Sequence, residues 1–215
     1  MKKRIVLTFL ALIAVSMTGV AFSEQKFEED IHYFSIFPAQ PGGEGKRVQI
    51  TEFFLYTCPH CYQLEPHLEA WLKQKPENVD FDRVPAMFNR ESIKMQGKTY
   101  YALRLMGVAD QLHEKIFNVI HDAGESLNTQ EDMEAFLNQN GVDLVAYRKA
   151  MKSFAVQTQA RRASVLGDRY DLRAVPSLVV DGKYRATGLS GDAMMRLTDR
   201  LIEKVEAERG IASKK

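Results

Sequence analysis

The feature that most constrains this chain is a hydrophobic strand that runs directly into a Cys-x-x-Cys pair. Residues 48–55 read Val-Gln-Ile-Thr-Glu-Phe-Phe-Leu, and Tyr-Thr-Cys-Pro-His-Cys follows at 56–61. The strand is apolar on both faces towards its end, which predicts a central position in a sheet. Cys58 and Cys61 are the only cysteines in 215 residues. The sequence therefore places all of its thiols at one strand-to-helix junction.

This junction favours a reactive thiol. Pro59 suits the first position of a helix, because the N–H that proline lacks would be unpaired there. Cys58 then falls at the N-cap, where free backbone N–H groups and the helix dipole favour a negative charge. A thiol held there ionises easily, and the thiolate is the reactive form of cysteine. We therefore predict that Cys58 is the exposed nucleophile and that Cys61, one turn into the helix, is the buried resolving cysteine.

Three other roles for the pair remain open at this point. A structural disulfide that closes so short a loop contributes only about 2 kcal/mol, which a chain of this length does not need. Half of a zinc site is a second role, but structural zinc usually takes four ligands, and His60 and His67 are poor substitutes for a second cysteine pair. Two buried, inert thiols are the third, and the Pro-His insert at a helix start argues against them. We expect no metal site.

Residues 1–23 have the pattern of a secretory signal peptide. A basic start is followed by an apolar run from Ile5 to Val15 and by a small-residue end at Ala21-Phe22-Ser23. We predict cleavage near Ser23 and export of the mature chain. An uncleaved membrane anchor is the alternative, although polar residues interrupt the apolar run. Export would place the cysteine pair in an oxidising compartment, where a disulfide persists.

Charge and length set further limits. The formal net charge is +1, and loss of Lys2, Lys3 and Arg4 with the signal peptide leaves −2. Such a balance gives no indication of nucleic-acid binding. The roughly 190 residues that remain are enough for one domain with a full core, or for one domain with an insertion.

The order of the predicted elements indicates an α/β domain that is interrupted by helices. A short edge strand near residues 31–37 precedes the central strand, and residues 79–84 form another strand. The pattern is helical from 89 to 169, and one of these helices carries Tyr147, Met151 and Phe154. A strand at 177–180, a two-residue turn at Asp181-Gly182, a returning strand and a last helix that stops near Gly210 complete the chain.

A block of helices between two halves of a sheet is an insertion in an α/β domain. We therefore predict a first part of the domain, an inserted helical domain and a second part, at 24–88, 89–169 and 170–215 respectively.

Two charged residues interrupt the apolar rows of neighbouring predicted strands. By the two-residue period, Glu52 shares a face with Val48, Ile50 and Phe54, and Arg83 shares one with apolar neighbours on the next strand. Two opposite charges that are each misplaced could form one partly buried pair. The alternative is that Glu52 caps an exposed strand end. The sequence does not show whether the two side chains meet.

These motifs together resemble the thioredoxin fold of the DsbA type. The resemblance rests on Cys58-Pro59-His60-Cys61 after a hydrophobic strand, on Pro66 at the position of the helix-kinking proline, and on Ala-Val-Pro-Ser-Leu-Val-Val-Asp-Gly-Lys-Tyr at 174–184. It covers most of the mature chain, and it implies a thioredoxin fold with an inserted helical domain. The family also carries a buried acidic residue and a basic partner, at positions that match Glu52 and Arg83. The family's basic residue is often lysine, and arginine does not deprotonate, so a proton-shuttling role does not carry over to Arg83.

The resemblance further implies a periplasmic protein disulfide oxidoreductase that donates a Cys58–Cys61 disulfide to newly exported proteins. DsbA-type proteins are known for a depressed cysteine pKa and an oxidising disulfide. Pro59 and His60 would modulate the thiolate. Val175 and Pro176, joined by a cis peptide bond, would offer backbone to the substrate; an ordinary trans proline is the alternative.

The partners that the resemblance implies are folding proteins with free thiols and a membrane quinone-linked oxidase of the DsbB type. We expect a monomer with no cofactor beyond the redox-active disulfide. A periplasmic isomerase or reductase of the same fold remains an alternative, although isomerases of this kind usually add a dimerisation domain, for which residues 24–47 leave little room. A binding protein or holdase with an idle disulfide is an alternative of a different class.

Overall fold

The structure is a computed structural model, and it describes residues 26–211. A five-stranded mixed sheet has the order β1-β5-β4-β2-β3, in which β2 pairs in parallel with β3 and antiparallel with β4. The strands are β1 (Tyr33–Ser35), β2 (Val48–Phe54), β3 (Val79–Pro85), β4 (Ser177–Val180) and β5 (Tyr184–Thr187). The predicted interior position of β2, the strand that leads to the cysteines, and the predicted edge strand are both confirmed.

Seven helices accompany the sheet in the described part of the chain. They are α1 (Pro59–Leu72), α2 (Glu91–Leu105), α3 (Ala109–His121), α4 (Gln130–Gln139), α5 (Leu144–Lys152), α6 (Phe154–Arg169) and α7 (Gly191–Arg209). Five of them, α2 to α6, follow one another between β3 and β4. This is the helical block that the change of period predicts, inserted into a mixed α/β thioredoxin-like domain.

Two hydrophobic cores hold the fold together. One joins Ile50 and Val180 of the sheet to α1 and α7, through side chains such as Leu68 and Leu201. The other joins Phe53 and Val179 to the helical block, and it extends to Tyr56 and Cys61. The cysteine pair therefore lies where the helical block packs against the end of the central strand.

Several helix ends follow local sequence signals. Thr129 accepts from the Asp132 N–H at the start of α4, and Asp143 accepts from two N–H groups at the start of α5. Gly210 ends α7 with φ 64°, a left-handed conformation that favours glycine. One prediction is wrong: Phe154 does not continue α5. Ser153 ends that helix, accepts from the Val156 N–H, and so caps a new helix that begins at residue 154.

The hairpin differs slightly from the prediction. Asp181 and Gly182 both have positive φ, and the Lys183 N–H donates to the Val180 carbonyl at 2.9 Å, as a type I′ turn requires. Val180 pairs with Tyr184, so three residues separate the two strands where the sequence predicts two.

The predicted signal peptide at 1–23 lies outside the described residues. Within residues 26–211, none of the helices has the length and hydropathy needed to span a bilayer.

Candidate active site

Cys58 lies at the N-cap of α1, as predicted. β2 ends at Phe54, and the Cys58 N–H donates to the Leu55 carbonyl at 3.1 Å, which closes the turn between strand and helix. Pro59 is the first residue of the helix. Cys58 is partly exposed and Cys61 is fully buried, and both are free thiols in this structure. The structure therefore presents the dithiol form, with one sulfur accessible and the other covered.

The surroundings of Cys58 stabilise its thiolate. A hydrogen bond from the Cys61 side chain and bonds from the backbone N–H groups of Cys61 and His60 together outweigh partial burial, and they lower the pKa of Cys58 to about 6. The charge of His60 adds a smaller contribution in the same direction. His60 itself is exposed. Cys58 is therefore largely ionised at neutral pH, whereas an ordinary thiol is not.

The same arrangement keeps Cys61 protonated. Burial is the largest cause, followed by the hydrogen bond to Cys58 and the negative charge of its thiolate; all raise the pKa of Cys61 well above its ordinary value. The charge of Glu52 acts in the same direction. The proton affinity of Cys58 is thus lowered and that of Cys61 is raised, although only two residues separate them. This asymmetry is expected of a nucleophile and a buried partner.

The loop before β4 reaches Cys58. Cys58 Sγ lies 3.5 Å from the Val175 carbonyl oxygen, to which it donates when protonated, and the Val175–Pro176 peptide bond is cis. Pro176 is buried, and its own carbonyl accepts from the Thr187 hydroxyl at 3.3 Å. The structure therefore brings Val175 and Pro176, which are far from the cysteines in sequence, to the accessible sulfur.

Glu52 and Arg83 meet beneath the cysteine pair. They are directly opposed in the register of β2 and β3, and Arg83 Nε donates to a carboxylate oxygen of Glu52 at 3.0 Å. The Glu52 side chain has no exposed surface, so the alternative that it caps an exposed strand end is wrong. Burial first, and then the charge of Glu65, raise the pKa of Glu52 to about 8, against the opposing effect of Arg83. Its other oxygen has no hydrogen-bond partner.

Three further side chains belong to this network, and the sequence marks none of them as part of the site. Arg83 also binds Glu65 at 3.1 Å and Glu69 at 2.6 Å, both on α1. Glu65 lies 3.4 Å from His113 Nε2 on α3. No motif marks these residues; the four-residue spacing of the two glutamates is the only signal that they share a helix face.

Two histidines of α3 converge on Tyr56, two residues before the nucleophile. His113 Nδ1 lies 3.0 Å from the Tyr56 hydroxyl, and His121 Nε2 lies 2.8 Å from the Tyr56 carbonyl oxygen. Neither histidine has metal-ligand spacing, so the sequence does not mark either of them as part of the site. Among the described residues, no cluster of three His, Cys, Asp or Glu side chains is arranged to hold a metal.

Comparison with known proteins identifies the family. Residues 79–201 match the DSBA-like thioredoxin domain. The chain belongs to this family. A thiol:disulfide interchange protein DsbA from Azotobacter vinelandii is 41% identical over 169 residues, which are 77% of each chain. The DsbA of Pseudomonas aeruginosa is 33% identical over 215 residues, 99% of this chain and 100% of the relative.

Solved structures agree with the DSBA-like assignment. The crystal structure of Pseudomonas aeruginosa DsbA superposes with a TM-score of 0.79 at 32% identity, covering 86% of this chain and 97% of that one. An oxidoreductase DsbA from Xylella fastidiosa superposes with a TM-score of 0.75 at 26% identity, covering 82% and 96%. The DSBA-like fold and the paired cysteines make this chain a thiol–disulfide oxidoreductase that acts through its own cysteines.

Proposed function

We propose that this chain works in the oxidising direction, as a donor of the Cys58–Cys61 disulfide to exported proteins that carry free thiols. The observation that carries the proposal is the Cys58 environment. The thiolate receives hydrogen bonds from the Cys61 thiol and from two backbone N–H groups, and its pKa is about 6. Stabilisation of this thiolate favours the dithiol over the disulfide, and a disulfide whose reduced form is favoured is a strong oxidant.

The reaction takes place in two exchange steps. A substrate thiolate attacks Cys58 Sγ of the oxidised protein; the Cys58–Cys61 bond breaks, and Cys61 leaves and takes up a proton. A second substrate thiolate then attacks the substrate sulfur of the mixed disulfide, and Cys58 leaves as the stabilised thiolate. The substrate has lost two electrons and gained a disulfide, while the protein has become the dithiol. No external cofactor takes part in these steps.

We assign supporting roles to the remaining residues. Glu52 is protonated below a pKa of about 8 and would supply the proton that Cys61 takes up on leaving. The two groups interact, because ionised Glu52 raises the pKa of Cys61. Arg83 would hold Glu52 in place, without shuttling protons itself. Val175 and Pro176 would present backbone to the substrate, because the Val175 carbonyl lies beside Cys58. Pro59 and His60 would help to stabilise the thiolate at the helix start.

Turnover requires that the dithiol is oxidised again. We propose a membrane quinone-linked oxidase of the DsbB type as the recycling partner, and the periplasm as the compartment, reached after cleavage near Ser23. We propose that the mature protein acts as a monomer, and that residues 89–169 act as a domain inserted between 24–88 and 170–215.

A turnover experiment tests the direction of the reaction. A reduced two-cysteine peptide is incubated with the protein at one-hundredth of its concentration, with oxidised glutathione as the recycling oxidant, and disulfide formation is followed by mass spectrometry. We expect many turnovers per protein and none for Cys58→Ser. Fast reduction of a disulfide substrate by a dithiol source, without catalysed oxidation, would instead make the chain a reductase. Binding of the reduced peptide without either reaction would indicate a holdase.

A further inference from the structure

His121 contacts the residues that flank the two cysteines on either side. Its Nε2 lies 2.8 Å from the carbonyl oxygen of Tyr56, two residues before Cys58. Its ring stacks on the ring of Tyr62, directly after Cys61, with centroids 4.8 Å apart and planes 10° from parallel. One side chain on α3 therefore bridges the turn after β2 and the first turn of α1.

The chemistry of the hydrogen bond fixes its direction. A carbonyl oxygen only accepts, so Nε2 of His121 must carry the proton and donate it. Tyr56 lies in the turn between β2 and α1, beyond the last residue of the ladder, so its carbonyl depends on a partner outside the sheet. The buried Tyr56 side chain is held by the same helix, because its hydroxyl lies 3.0 Å from His113. The turn that leads to Cys58 is thus attached to α3 at two points.

The second contact of His121, with the Tyr62 ring, is supported by further contacts between Tyr62 and α3. The Tyr62 hydroxyl donates to Asp122, the residue after His121, at 2.7 Å. The Tyr62 ring also stacks near Phe117, one turn earlier on α3. The last turn of α3 therefore contacts the ring of Tyr62 at its edge and on its face. Because Tyr62 lies in the first turn of α1, these contacts also fix the start of that helix.

We propose that His121 is a positioning residue that sets the ionisation of Cys58 from within the helical block. The thiolate depends on hydrogen bonds from the N–H groups of His60 and Cys61, whose directions follow from how α1 sits relative to residue 58. Because His121 fixes the segment on each side of that sulfur, its loss lets the helix start move relative to the turn. The hydrogen bonds to the thiolate then weaken, the Cys58 pKa rises, and the disulfide becomes less oxidising.

The test separates the two contacts of His121 with three variants. His121→Ala removes both, His121→Phe keeps a ring against Tyr62 without the donor, and His121→Gln supplies an amide donor to the Tyr56 carbonyl without the ring. His67→Ala is the matched control, since this histidine on α1 pairs with Asp192 at the start of α7. The Cys58 pKa is read from thiolate absorbance at 240 nm, the redox equilibrium from mixtures with glutathione, and the denaturant midpoint reports stability separately.

We expect His121→Ala to raise the Cys58 pKa by about half a unit or more and to lower the equilibrium constant for reduction by glutathione about threefold, since half a unit is a factor of about three. His121→Gln should recover part of both changes, and His67→Ala should show neither. A His121→Ala protein that loses stability but keeps the wild-type pKa and equilibrium constant overturns the proposal. So does a His121→Gln protein no closer to wild type than His121→Ala. These measurements concern the thiol and not turnover, so they stand even if the proposed direction of catalysis fails.

Discussion

Glu52 and Arg83 occupy opposed positions on two parallel strands, and Arg83 Nε donates a hydrogen bond to the Glu52 carboxyl group at 3.0 Å. Arg83 shares its charge among three carboxylates, since it also binds Glu65 and Glu69. Glu52 and Glu65 are buried, whereas Glu69 is half exposed. Burial first, and then the charge of Glu65, raise the proton affinity of Glu52, and Arg83 offsets only part of this effect.

The first prediction concerns this carboxyl group. The folded-state pKa of Glu52 is about 8, above the ordinary 4.5, so its contribution to stability is fully present below pH 4.5 and is lost as the pH rises through 8. Glu52→Gln stays neutral and still accepts from Arg83. We expect the variant to gain stability relative to wild type between pH 5 and pH 8. Denaturant melts of the oxidised proteins, in which Cys58 does not titrate, measure the difference in unfolding free energy between the variant and wild type. A difference that does not change with pH would contradict a raised pKa for Glu52.

The second prediction concerns the two sulfurs. Cys58 is partly exposed with a pKa of about 6, and Cys61 is buried and protonated. Cys61→Ala should therefore trap mixed disulfides with substrate through Cys58, because the resolving thiol is gone. Cys58→Ala should trap few, since its remaining thiol is covered. Non-reducing gels of cells that express each variant count the adducts, and equal trapping by the two variants is the result that would reverse the roles.

The third prediction concerns His60. Its charge lowers the Cys58 pKa, but less than the Cys61 thiol and the two backbone N–H groups do. We expect His60→Ala to raise the Cys58 pKa by about one unit or less, and to make the disulfide correspondingly less oxidising. Thiolate absorbance and glutathione equilibria measure both quantities. An unchanged redox equilibrium would remove His60 from the mechanism.

The fourth prediction compares the two redox forms. The Cys58 pKa falls from an ordinary 9.0 to about 6 on folding, so the stability that the thiolate adds is present above pH 9 and is lost as the pH falls through 6. Because Cys58 is partly exposed, its thiolate adds less than the ~1.4 kcal/mol of stability per pKa unit that applies to a fully buried group. The short cross-link of the oxidised form contributes only about 2 kcal/mol.

We therefore expect the two forms to be close in stability near pH 7, the oxidised form to be more stable at pH 5, and the reduced form to be more stable at pH 9. Paired urea melts at the three pH values give the comparison. A reduced form that stays less stable at pH 9 would mean that the Cys58 thiolate is not stabilised, and the reductase interpretation would then be favoured.

Local chemistry explains which parts of the fold were predictable. The N-cap position of Cys58 follows from Pro59, and the ends of α4, α5 and α7 follow from Thr129, Asp143 and Gly210, because each signal acts within a few residues. Phe154 was misplaced because it keeps the helical period of Tyr147 and Met151. A single capping serine before it was enough to begin a new helix.

Long-range packing explains what the sequence could not predict. The two-residue period places Glu52 and Arg83 on faces of their strands, but only the adjacency of β2 and β3 brings them together. His113 and His121 are eight residues apart, which puts them on similar faces of α3. The spacing does not identify the segment that packs against this face of α3. Packing throughout the core determines that the helical block docks onto the turn at Tyr56.

The contact between Cys58 Sγ and the Val175 carbonyl oxygen joins residues 117 positions apart in the chain. A chain that is threaded through a membrane from its N-terminus delivers the cysteine pair first, and the backbone that lies beside the nucleophile only after all five inserted helices. During that interval the thiols are present without the loop that covers one side of them. Assembly of this active site is consequently a late, non-local event in folding, of the kind that high contact order makes slow. Under the proposed function the emerging chain is itself a thiol-bearing exported polypeptide, and we expect it to be a substrate for finished copies of the same protein.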